Sequence, residues 1–227
     1  MVERGNANLR ERFVGLVKEI GLLPVIKARC ERDCLPYAQA MYDGGARVIE
    51  VTMTTPGALG AIEAITSELK GKLYVAAGTV LDAGTAREVI LHGGHALVNP
   101  ALVPEVIDLG NRYGVPVCSG AFTATEVFNA MRAGAAIVKI FPAQLAVPKY
   151  MTNLKMVFPE VNLVPSGGTT LENAAEYIRC GACAVSGARV FMQYDKIEVE
   201  GLAWLTRQVA RMIEIIREAR KDLPELP

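Results

Sequence analysis

The chain has 227 residues, of which 51% are hydrophobic and 21% are charged, a composition typical of a globular protein rather than a disordered one. Its 24 basic residues balance its 24 acidic residues, so the net charge gives no reason to expect nucleic acid or an anionic membrane as a partner. No apolar stretch approaches the roughly 18 residues of a membrane-spanning helix, and the charged N-terminal stretch lacks the apolar core of a signal peptide, so the sequence predicts a soluble, cytoplasmic protein.

Short apolar, β-branched runs alternate with longer amphipathic segments along the whole chain. Because apolar runs of this length are typical of buried strands, the short runs predict strands at 22–28, 48–53, 73–77, 96–98, 116–118, 136–141, 162–165 and 183–186. The amphipathic segments predict helices at 9–19, 34–43, 57–69, 83–91, 104–111, 124–132, 148–158, 171–179 and 201–220. Residues 222–227 are predicted to form a loose tail.

A repeated unit runs through this pattern, since glycine ends several helices and alanine often follows it just before the next strand, as at Gly45-Ala46 and Gly134-Ala135. Eight strand–helix units predict the α/β class and a (β/α)8 TIM barrel, with residues 1–227 forming a single domain. A helix within residues 1–20 would cover the bottom of the barrel. A doubly wound open sheet is the structural alternative, although no Gly-x-Gly-x-x-Gly opens a helix after a strand.

The cysteines allow two interpretations. The spacings Cys30-x3-Cys34 and Cys180-x2-Cys183 resemble the two halves of a zinc site. The predicted barrel places the two pairs at opposite ends, however, and an odd total of five cysteines does not suit a disulfide framework. We therefore predict free thiols and no metal, and the two histidines, which precede the fourth strand, fit no metal motif.

Three charged residues fall on predicted strands that should be apolar: Lys27, Glu50 and Lys139. Alternation along a strand places each of them on a face that points into the barrel or under the helices, where an unpaired charge is costly. One interpretation is a structural lysine–glutamate pair in a polar layer of the barrel. The other is chemical, because burial and a second cation favour the neutral amine of a lysine, which is a nucleophile toward carbonyls. That interpretation predicts Schiff-base chemistry on a keto substrate, with Glu50 carrying protons.

Two loops that follow predicted strands are candidate anion sites. Gly78-Thr79-Val80 follows the third strand and offers backbone N–H groups and a hydroxyl to a carboxylate. Residues 165–170, which read Pro-Ser-Gly-Gly-Thr-Thr, follow the seventh strand, where barrels often bind phosphate. The alternative for the second loop is a glycine turn with a threonine capping the next helix.

Six segments carry a resemblance to a known family. They are Glu50-Val51-Thr52, Ala77-Gly78-Thr79-Val80, Asn99-Pro100, Thr123-Ala124-Thr125-Glu126, Lys139-Ile140-Phe141-Pro142-Ala143 and Ser166-Gly167-Gly168. In order and spacing they resemble the 2-keto-3-deoxy-6-phosphogluconate (KDPG) and 4-hydroxy-2-oxoglutarate (KHG) aldolases, which are class I (β/α)8 enzymes, over about residues 16–215. The resemblance implies a cytoplasmic, cofactor-free homotrimer that reversibly cleaves a 2-keto-4-hydroxy acid to pyruvate and an aldehyde.

The resemblance also implies roles for individual residues. Lys139 would be the Schiff-base lysine and Glu50 the general acid and base. The residues implied to bind substrate are Thr79 with its neighbour Gly78 at the pyruvate carboxylate, Pro100 and Phe141 in the pocket wall, and Gly167 and Gly168 in the phosphate-binding turn.

Three positions depart from the family pattern. The family usually carries an arginine on the first strand or four residues after the glutamate, where this chain has Lys27 and Thr54. We predict that Lys27 binds the carboxylate in place of that arginine, through the point charge of its ammonium rather than the bidentate hydrogen bonds of a guanidinium. Arg189 stands nearest the serine that ends the family's second phosphate loop, and Ser166 stands where threonine is common. Arg189 is predicted to bind the distal anion of the substrate; otherwise it points to solvent or pairs with a helix carboxylate.

The sequence leaves three functions open. The first is a class I aldolase for a 2-keto-4-hydroxy acid with an anionic tail, and the second is a pyruvate aldolase that accepts neutral aldehydes. The third is a non-catalytic barrel that binds small acids, since a fold alone does not imply an activity. Lys139 and Glu50 favour catalysis, and the expected partners are a small 2-keto acid and pyruvate, with neither nucleic acid nor membrane.

Overall fold

The computed structural model describes residues 6–221 and 223. Its strands are β1 (Leu22–Ile26), β2 (Val48–Thr52), β3 (Tyr74–Gly78), β4 (Ala96–Val98), β5 (Val117–Ala121), β6 (Ile137–Ile140), β7 (Leu163–Pro165) and β8 (Val185–Gly187). Its helices are α1 (Asn6–Ile20), α2 (Cys34–Asp43), α3 (Ala58–Glu68), α4 (Ala83–Leu91), α5 (Pro104–Tyr113), α6 (Ala124–Arg132), α7 (Lys149–Val157), α8 (Ala174–Arg179), α9 (Tyr194–Glu200) and α10 (Leu202–Lys221). The predictions for residues 1–5 and for the tail at 222 and 224–227 lie outside the described residues.

The eight strands form one parallel sheet that closes on itself. Their order is β7-β6-β5-β4-β3-β2-β1-β8, so each strand lies beside its neighbour in sequence and β8 pairs with β1. A bridge between Ser166 and Ser186 joins the ends of β7 and β8 and completes the circle. The predicted (β/α)8 barrel is therefore confirmed, and the open doubly wound sheet, whose strand order reverses, is excluded.

Apolar side chains fill the barrel from below. Phe13 and Val17 of α1 are fully buried and pack with the inward-facing residues near the start of the strands, such as Leu23, Val48 and Ala96. An eight-stranded barrel is just wide enough for side chains to fill its interior. Helix α1 thus covers the bottom of the barrel, as predicted, and leaves the upper mouth open.

Helix α9 was not predicted, because none of its residues is buried and it therefore shows no apolar periodicity. It ends at Gly201, whose φ of 71° lies in the left-handed region. Two contacts hold α9 against the segment after β1. The Tyr194 hydroxyl donates to the Lys27 carbonyl, and Glu198 pairs with Arg29 at 2.7 Å.

Helix α8 begins three residues later than predicted. Thr170 donates its backbone N–H to Asn173 Oδ1 at 2.8 Å, and Asn173 returns a bond from its own N–H to Thr170 Oγ1 at 3.3 Å. These side chains compete with helical hydrogen bonds and hold the segment before Ala174 as a turn. None of the helices in the described part of the chain combines the length and apolar character that crossing a bilayer requires.

The two cysteine pairs lie at opposite ends of the barrel. Cys30 and Cys34 follow the upper end of β1, whereas Cys180 and Cys183 precede the lower end of β8. All four are free thiols. Because β1 and β8 run parallel side by side, the length of the barrel separates the two pairs.

The two histidines of the lower end lie between helix α4 and strand β4. His95 is half-buried, and its Nδ1 accepts a hydrogen bond from the Val75 N–H at 3.1 Å. Burial lowers the pKa of His95 below its usual value, because the charged ring is poorly solvated there. The unfolded chain consequently binds this proton more tightly than the folded protein does.

We expect the free energy of unfolding to fall as the pH drops below the unfolded histidine pKa of about 6.5. In His95→Asn the amide oxygen can still accept the Val75 N–H but does not titrate, so the loss between pH 7.5 and 5.5 should be smaller. Urea unfolding at several pH values measures it. His92→Asn, at a histidine that contacts the Glu88 carbonyl, is the control and should keep the wild-type pH dependence. An equal pH dependence in His95→Asn would contradict the assignment.

Candidate active site

A cleft of about 400 Å³ opens at the upper mouth of the barrel, where the C-terminal ends of the strands meet. Of the residues singled out in the sequence, those that line it are Lys27, Glu50, Thr54, Thr79, Lys139, Phe141, Ser166, Gly167, Gly168 and Arg189. Two others, Gly78 and Pro100, do not line it. The cleft also contains Thr169 of the loop at 165–170, together with Thr52 and Gln144, to which the sequence had assigned no role.

Lys139 and Glu50 form a buried ion pair across the floor of this cleft. Lys139 Nζ lies 3.4 Å from Glu50 Oε2, and the two side chains are only 8% and 3% exposed. Alternation places both inward, because Ile137 and Val48, two residues earlier on the same strands, belong to the cluster inside the barrel. Strands on opposite sides of the barrel thus bring together an amine and a carboxylate that lie 89 residues apart.

Cys118 belongs to the inward-facing cluster below the pair. It is completely buried, and burial raises the pKa of its thiol far above the usual value, with Glu50 adding to the effect and Lys139 opposing it. The thiol is therefore protonated and uncharged at neutral pH. Beneath the ion pair the barrel offers an apolar, unreactive layer, so proton exchange is left to the two charged groups and the cleft above them.

Lys27 lies outside the strand to which the sequence assigned it. Strand β1 ends at Ile26, and the Lys27 side chain is exposed at the edge of the cleft rather than buried inside the barrel. The segment leaves the strand here because α9 holds the Lys27 carbonyl through Tyr194. Lys27 is therefore not the second buried cation beside Lys139 that the sequence predicted, although its ammonium can still meet an anion at the rim.

Pro100 packs on the inward side of β5, without lining the cleft itself. A Cβ added to Gly120 would fall 2.2 Å from the Pro100 carbonyl carbon and 2.3 Å from the Ala101 nitrogen. Gly120 is the strand partner of Lys139 in the sheet. The loop after β4 therefore packs directly on β5, the strand next to the one that carries Lys139. Pro100 thus contributes to the position of β5.

Thr79 holds a backbone conformation that few threonines adopt. Its φ is 60°, in the left-handed region, which costs a non-glycine residue about 1–3 kcal/mol. The next residue is fixed on both sides, because the Val80 N–H donates to the Val98 carbonyl at 3.1 Å and the Val80 carbonyl accepts from Asn99 Nδ2 at 2.5 Å. Asn99 thus anchors the turn that presents Thr79 to the cleft.

In the sequence, Asn99 stands out only as part of a family motif. Its side chain is completely buried, and its Oδ1 has no hydrogen-bond partner among the described residues. Burying a polar group without a partner is costly. An asparagine placed directly after a short buried strand is the signal that could have identified this anchor.

The hydroxyls of Thr52 and Thr54 form a pair on the wall above Glu50. They share a hydrogen bond, and the Thr54 N–H donates to Thr52 Oγ1 at 3.1 Å. Two hydroxyls have two protons, and their mutual bond uses one of them. Whichever oxygen donates, one O–H remains, with no acceptor among residues 6–221, and can serve a ligand in the cleft.

The glycine turn after β7 also lines the cleft. Gly167 and Gly168 have φ values of 79° and 100°, which side chains rarely adopt. A Cβ at Gly167 would lie 2.9 Å from the Phe141 ring. Within the described part of the chain the N–H groups of these glycines have no acceptor, so they are available to an anion.

Arg189 stands across from this turn, two residues beyond β8. Its side chain is exposed and lines the cleft, and it forms no ion pair with any carboxylate in the described part of the chain. The helix-carboxylate alternative is therefore not what the structure shows. The guanidinium and the two free backbone amides thus share one cleft, a combination that suits an anion.

These features define a class of protein: a (β/α)8-barrel enzyme with a lysine and a carboxylate buried at its catalytic mouth, the composition of a Schiff-base aldolase site. Residues 14–208 match the family model of the KDPG and KHG aldolases. The chain belongs to this family and is an aldehyde-lyase of class I.

Individual relatives are moderately similar. A 2-dehydro-3-deoxy-phosphogluconate aldolase of Treponema pallidum is 33% identical over 85% of this chain and 95% of its own. A 2-dehydro-3-deoxy-6-phosphogalactonate aldolase of Escherichia coli is 32% identical over 88% and 97%. Among solved structures, the KDPG aldolase of Legionella pneumophila, with pyruvate captured as a covalent carbinolamine, superposes with a TM-score of 0.81 at 26% identity, covering 88% of this chain and 97% of that one.

Removing the Asn99 anchor should loosen the turn at Thr79. In Asn99→Ala the Val80 carbonyl loses its side-chain donor, so we expect the free energy of unfolding to fall by about 1–3 kcal/mol and the Val80 amide to exchange its hydrogen faster. Urea unfolding and native-state hydrogen exchange measure the two effects.

Asn111→Ala is the matched control for Asn99→Ala. It removes another asparagine bond to a backbone carbonyl, that of Ala133 at 2.8 Å, at a site outside the cleft lining. The control should leave exchange at Val80 unchanged. Unchanged exchange in Asn99→Ala itself would mean that Asn99 does not anchor the turn.

Proposed function

We propose that this protein reversibly cleaves a 2-keto-4-hydroxy acid to pyruvate and an aldehyde, with Lys139 as the Schiff-base residue and Glu50 as the proton carrier. The observation that carries the proposal is the buried pair itself, an amine 3.4 Å from a carboxylate at the mouth of the barrel. A proton passed from Lys139 to Glu50 leaves both groups neutral, which low polarity favours, and frees the nitrogen lone pair.

The covalent steps follow from that lone pair. The Lys139 nitrogen attacks the C2 carbonyl of the substrate and forms a carbinolamine, which loses water to give an iminium ion. When the C3–C4 bond breaks, its electron pair moves to the iminium nitrogen and leaves an enamine on Lys139. Because the iminium accepts these electrons, we propose that the reaction requires no metal and no cofactor.

Glu50 supplies and removes the protons. As a carboxylic acid it protonates the leaving hydroxyl of the carbinolamine, and as a carboxylate it takes the proton from the C4 hydroxyl while that carbon becomes the aldehyde. It then returns a proton to C3 of the enamine, and water hydrolyses the resulting imine to release pyruvate. Glu50 can reach these positions because its carboxylate faces Lys139 and lines the cleft.

The carboxylate of the pyruvate half lies, in this proposal, between Lys27, the Thr52–Thr54 pair and Thr79. Strands β2 and β3 are neighbours, and Thr52 pairs with Gly78, so both threonine groups share one wall. That wall offers hydroxyl donors, and Lys27 adds one positive charge at the rim. A family arginine would combine both functions in one guanidinium.

The distal end of the substrate is proposed to lie between the glycine turn and Arg189, with Ser166 and Phe141 beside it. The free amides of Gly167 and Gly168 and the guanidinium of Arg189 favour an anionic tail. Phosphate and carboxylate share this chemistry, so the proposed substrates are KDPG-type and KHG-type acids.

We also propose that the protein is a homotrimer, as the resemblance implies. Large apolar side chains are exposed together on α6, α7 and the adjoining loops, and we call them the α6–α7 patch: Phe122, Phe128, Leu145, Val147, Met156 and Val157. The Tyr150 hydroxyl donates to the Phe122 carbonyl at 2.8 Å, which links the two units that carry the patch. Exposed apolar surface on neighbouring units is typical of subunit interfaces. The cytoplasmic location stays a prediction.

Borohydride should trap a covalent adduct of pyruvate on Lys139, since reduction converts the imine to a stable secondary amine. Peptide mapping by mass spectrometry identifies the modified residue. Lys139→Met is expected to abolish trapping and cleavage, whereas Lys27→Met should retain trapping with weaker binding of pyruvate. An adduct on Lys27 in the wild type would overturn the proposed role of Lys139.

Arg189→Ala should weaken kcat/KM for a substrate with an anionic tail by about 1.5–3 kcal/mol, the usual size of a hydrogen bond to a charged group. A 2-keto-4-hydroxy acid with a neutral tail should be cleaved at a nearly unchanged rate. Pyruvate release from phosphorylated, carboxylated and neutral substrates measures both. Equal losses on all three would show that Arg189 does not bind the tail, and the anion site would then be unassigned.

The α6–α7 patch can be tested by placing a charge in it. The wild type should sediment at three times the chain mass of 24.4 kDa, and Val157→Glu should shift the protein toward the monomer, because burying an unpaired carboxylate at an interface is costly. Val199→Glu is the matched control, since Val199 is 85% exposed on α9, away from the patch. A monomeric wild type would refute the trimer.

A further inference from the structure

Gly78 makes an exceptionally close approach to Glu50. It is the last residue of β3 and is buried. A Cβ built on Gly78 would lie 1.9 Å from Glu50 Oε1, 2.5 Å from Cδ and 2.7 Å from Cγ. Three atoms of one side chain therefore occupy the space that any other residue at position 78 would fill.

The backbone of Gly78 does not itself require glycine. Its φ is not positive, in contrast to Gly167 and Gly168. An alanine could adopt the same strand conformation without strain of the kind described for left-handed residues. Glycine is thus needed at this position for space, and the space is taken by the carboxyl end of Glu50.

Hydrogen bonds do little to fix the Glu50 carboxylate. Its one hydrogen-bond partner in the described part of the chain is Lys139, at 3.4 Å, which is long for a bond between charged groups. A glutamate has several rotatable bonds and can place its carboxylate over a wide area. Packing against the bare Cα of Gly78 therefore determines where the carboxylate lies.

We propose that Gly78 is a positioning residue for Glu50. The missing side chain lets the glutamate lean from its own strand over β3, so that Oε1 rests against Gly78 while Oε2 faces Lys139. A methyl group at position 78 would displace the carboxylate from this place. The inference rests on the proposed function, because it assigns Gly78 a role in the proton transfers that Glu50 performs.

The kinetic expectation follows from this geometry. In Gly78→Ala the displaced carboxylate no longer meets the reacting atoms, and a misplacement of about 1 Å can cost 10²-fold in rate. We expect kcat for cleavage to fall by about that factor while KM changes less, within about threefold, because Gly78 does not itself line the cleft. Borohydride trapping of pyruvate on Lys139 should persist, although more slowly.

Shortening Glu50 tests whether the two positions are coupled. Aspartate lacks one methylene, so no atom takes the place of Oε1, the atom closest to a Cβ at position 78, although the Cγ position 2.7 Å away is still filled. Glu50→Asp alone should lose activity, because its carboxylate ends short of its place, whereas Gly78→Ala should cost less in that background than in the wild type. If the two substitutions acted independently, the fraction of kcat retained by the double variant would equal the product of the fractions retained by the two single variants. We expect the double variant to retain at least about ten times more than that product, as coupled residues do.

A stability measurement keeps the test valid even if Gly78→Ala folds poorly. In a Glu50→Ala background the crowding atoms are gone, so adding Gly78→Ala should cost much less free energy of unfolding than it does in the wild type. Gly110→Ala is the matched control, since a Cβ there would lie 2.4 Å from Val117 Cγ2 and not near Glu50. The loss of unfolding free energy caused by Gly110→Ala should be the same in the wild type and in the Glu50→Ala background.

The outcomes separate this inference from the proposed function. Failure to trap pyruvate on Lys139 in the wild type would refute the function. Trapping and cleavage in the wild type, together with an unchanged kcat in Gly78→Ala, would refute the positioning role alone. An equal cost of Gly78→Ala with and without the Glu50 side chain would also refute it, whether or not the single variant folds.

Discussion

The structure depends on keeping one amine and one carboxylate together in a place that water barely reaches. Lys139 and Glu50 are each less than a tenth exposed and face one another at 3.4 Å. Separately, either charge would be costly at that depth, and together they neutralise one another. A parallel barrel suits this requirement, because strands from distant parts of the chain end at the same mouth and project alternate side chains inward.

The residues around the pair divide into those that position it and those that face the ligand. Gly78 determines where the Glu50 carboxylate lies. Gly120, the strand partner of Lys139, has no side chain and so lets the loop at Pro100 pack directly on β5. All of these belong to strands or to segments packed directly on them. Lys27 and Arg189, by contrast, are exposed residues just beyond strands. Substitutions at such positions can alter the choice of substrate while the reacting pair stays in place.

Much of this architecture could be predicted from the sequence. Apolar runs at regular intervals predict the barrel, and strand alternation places Glu50 and Lys139 either in its interior or under its helices. Other features depend on contacts that no local pattern contains. Lys27 lies beyond its strand because Tyr194, on a helix without buried residues, holds its carbonyl. Likewise, the reason for glycine at position 78 is a side chain 28 positions earlier in the sequence, which only the folded chain brings near.

The circle of strands closes at a seam between β7 and β8. Between β7 and β8 the link in the sheet is the bridge at Ser166 and Ser186, whose hydroxyls lie 3.5 Å apart. The glycine turn follows one side of this seam and Arg189 follows the other. An anion bound by both would bridge β7 and β8, the most weakly connected pair of neighbouring strands in the barrel. Occupancy of the site and cohesion of the barrel are then thermodynamically linked, so a saturating anionic ligand raises the melting temperature as it binds.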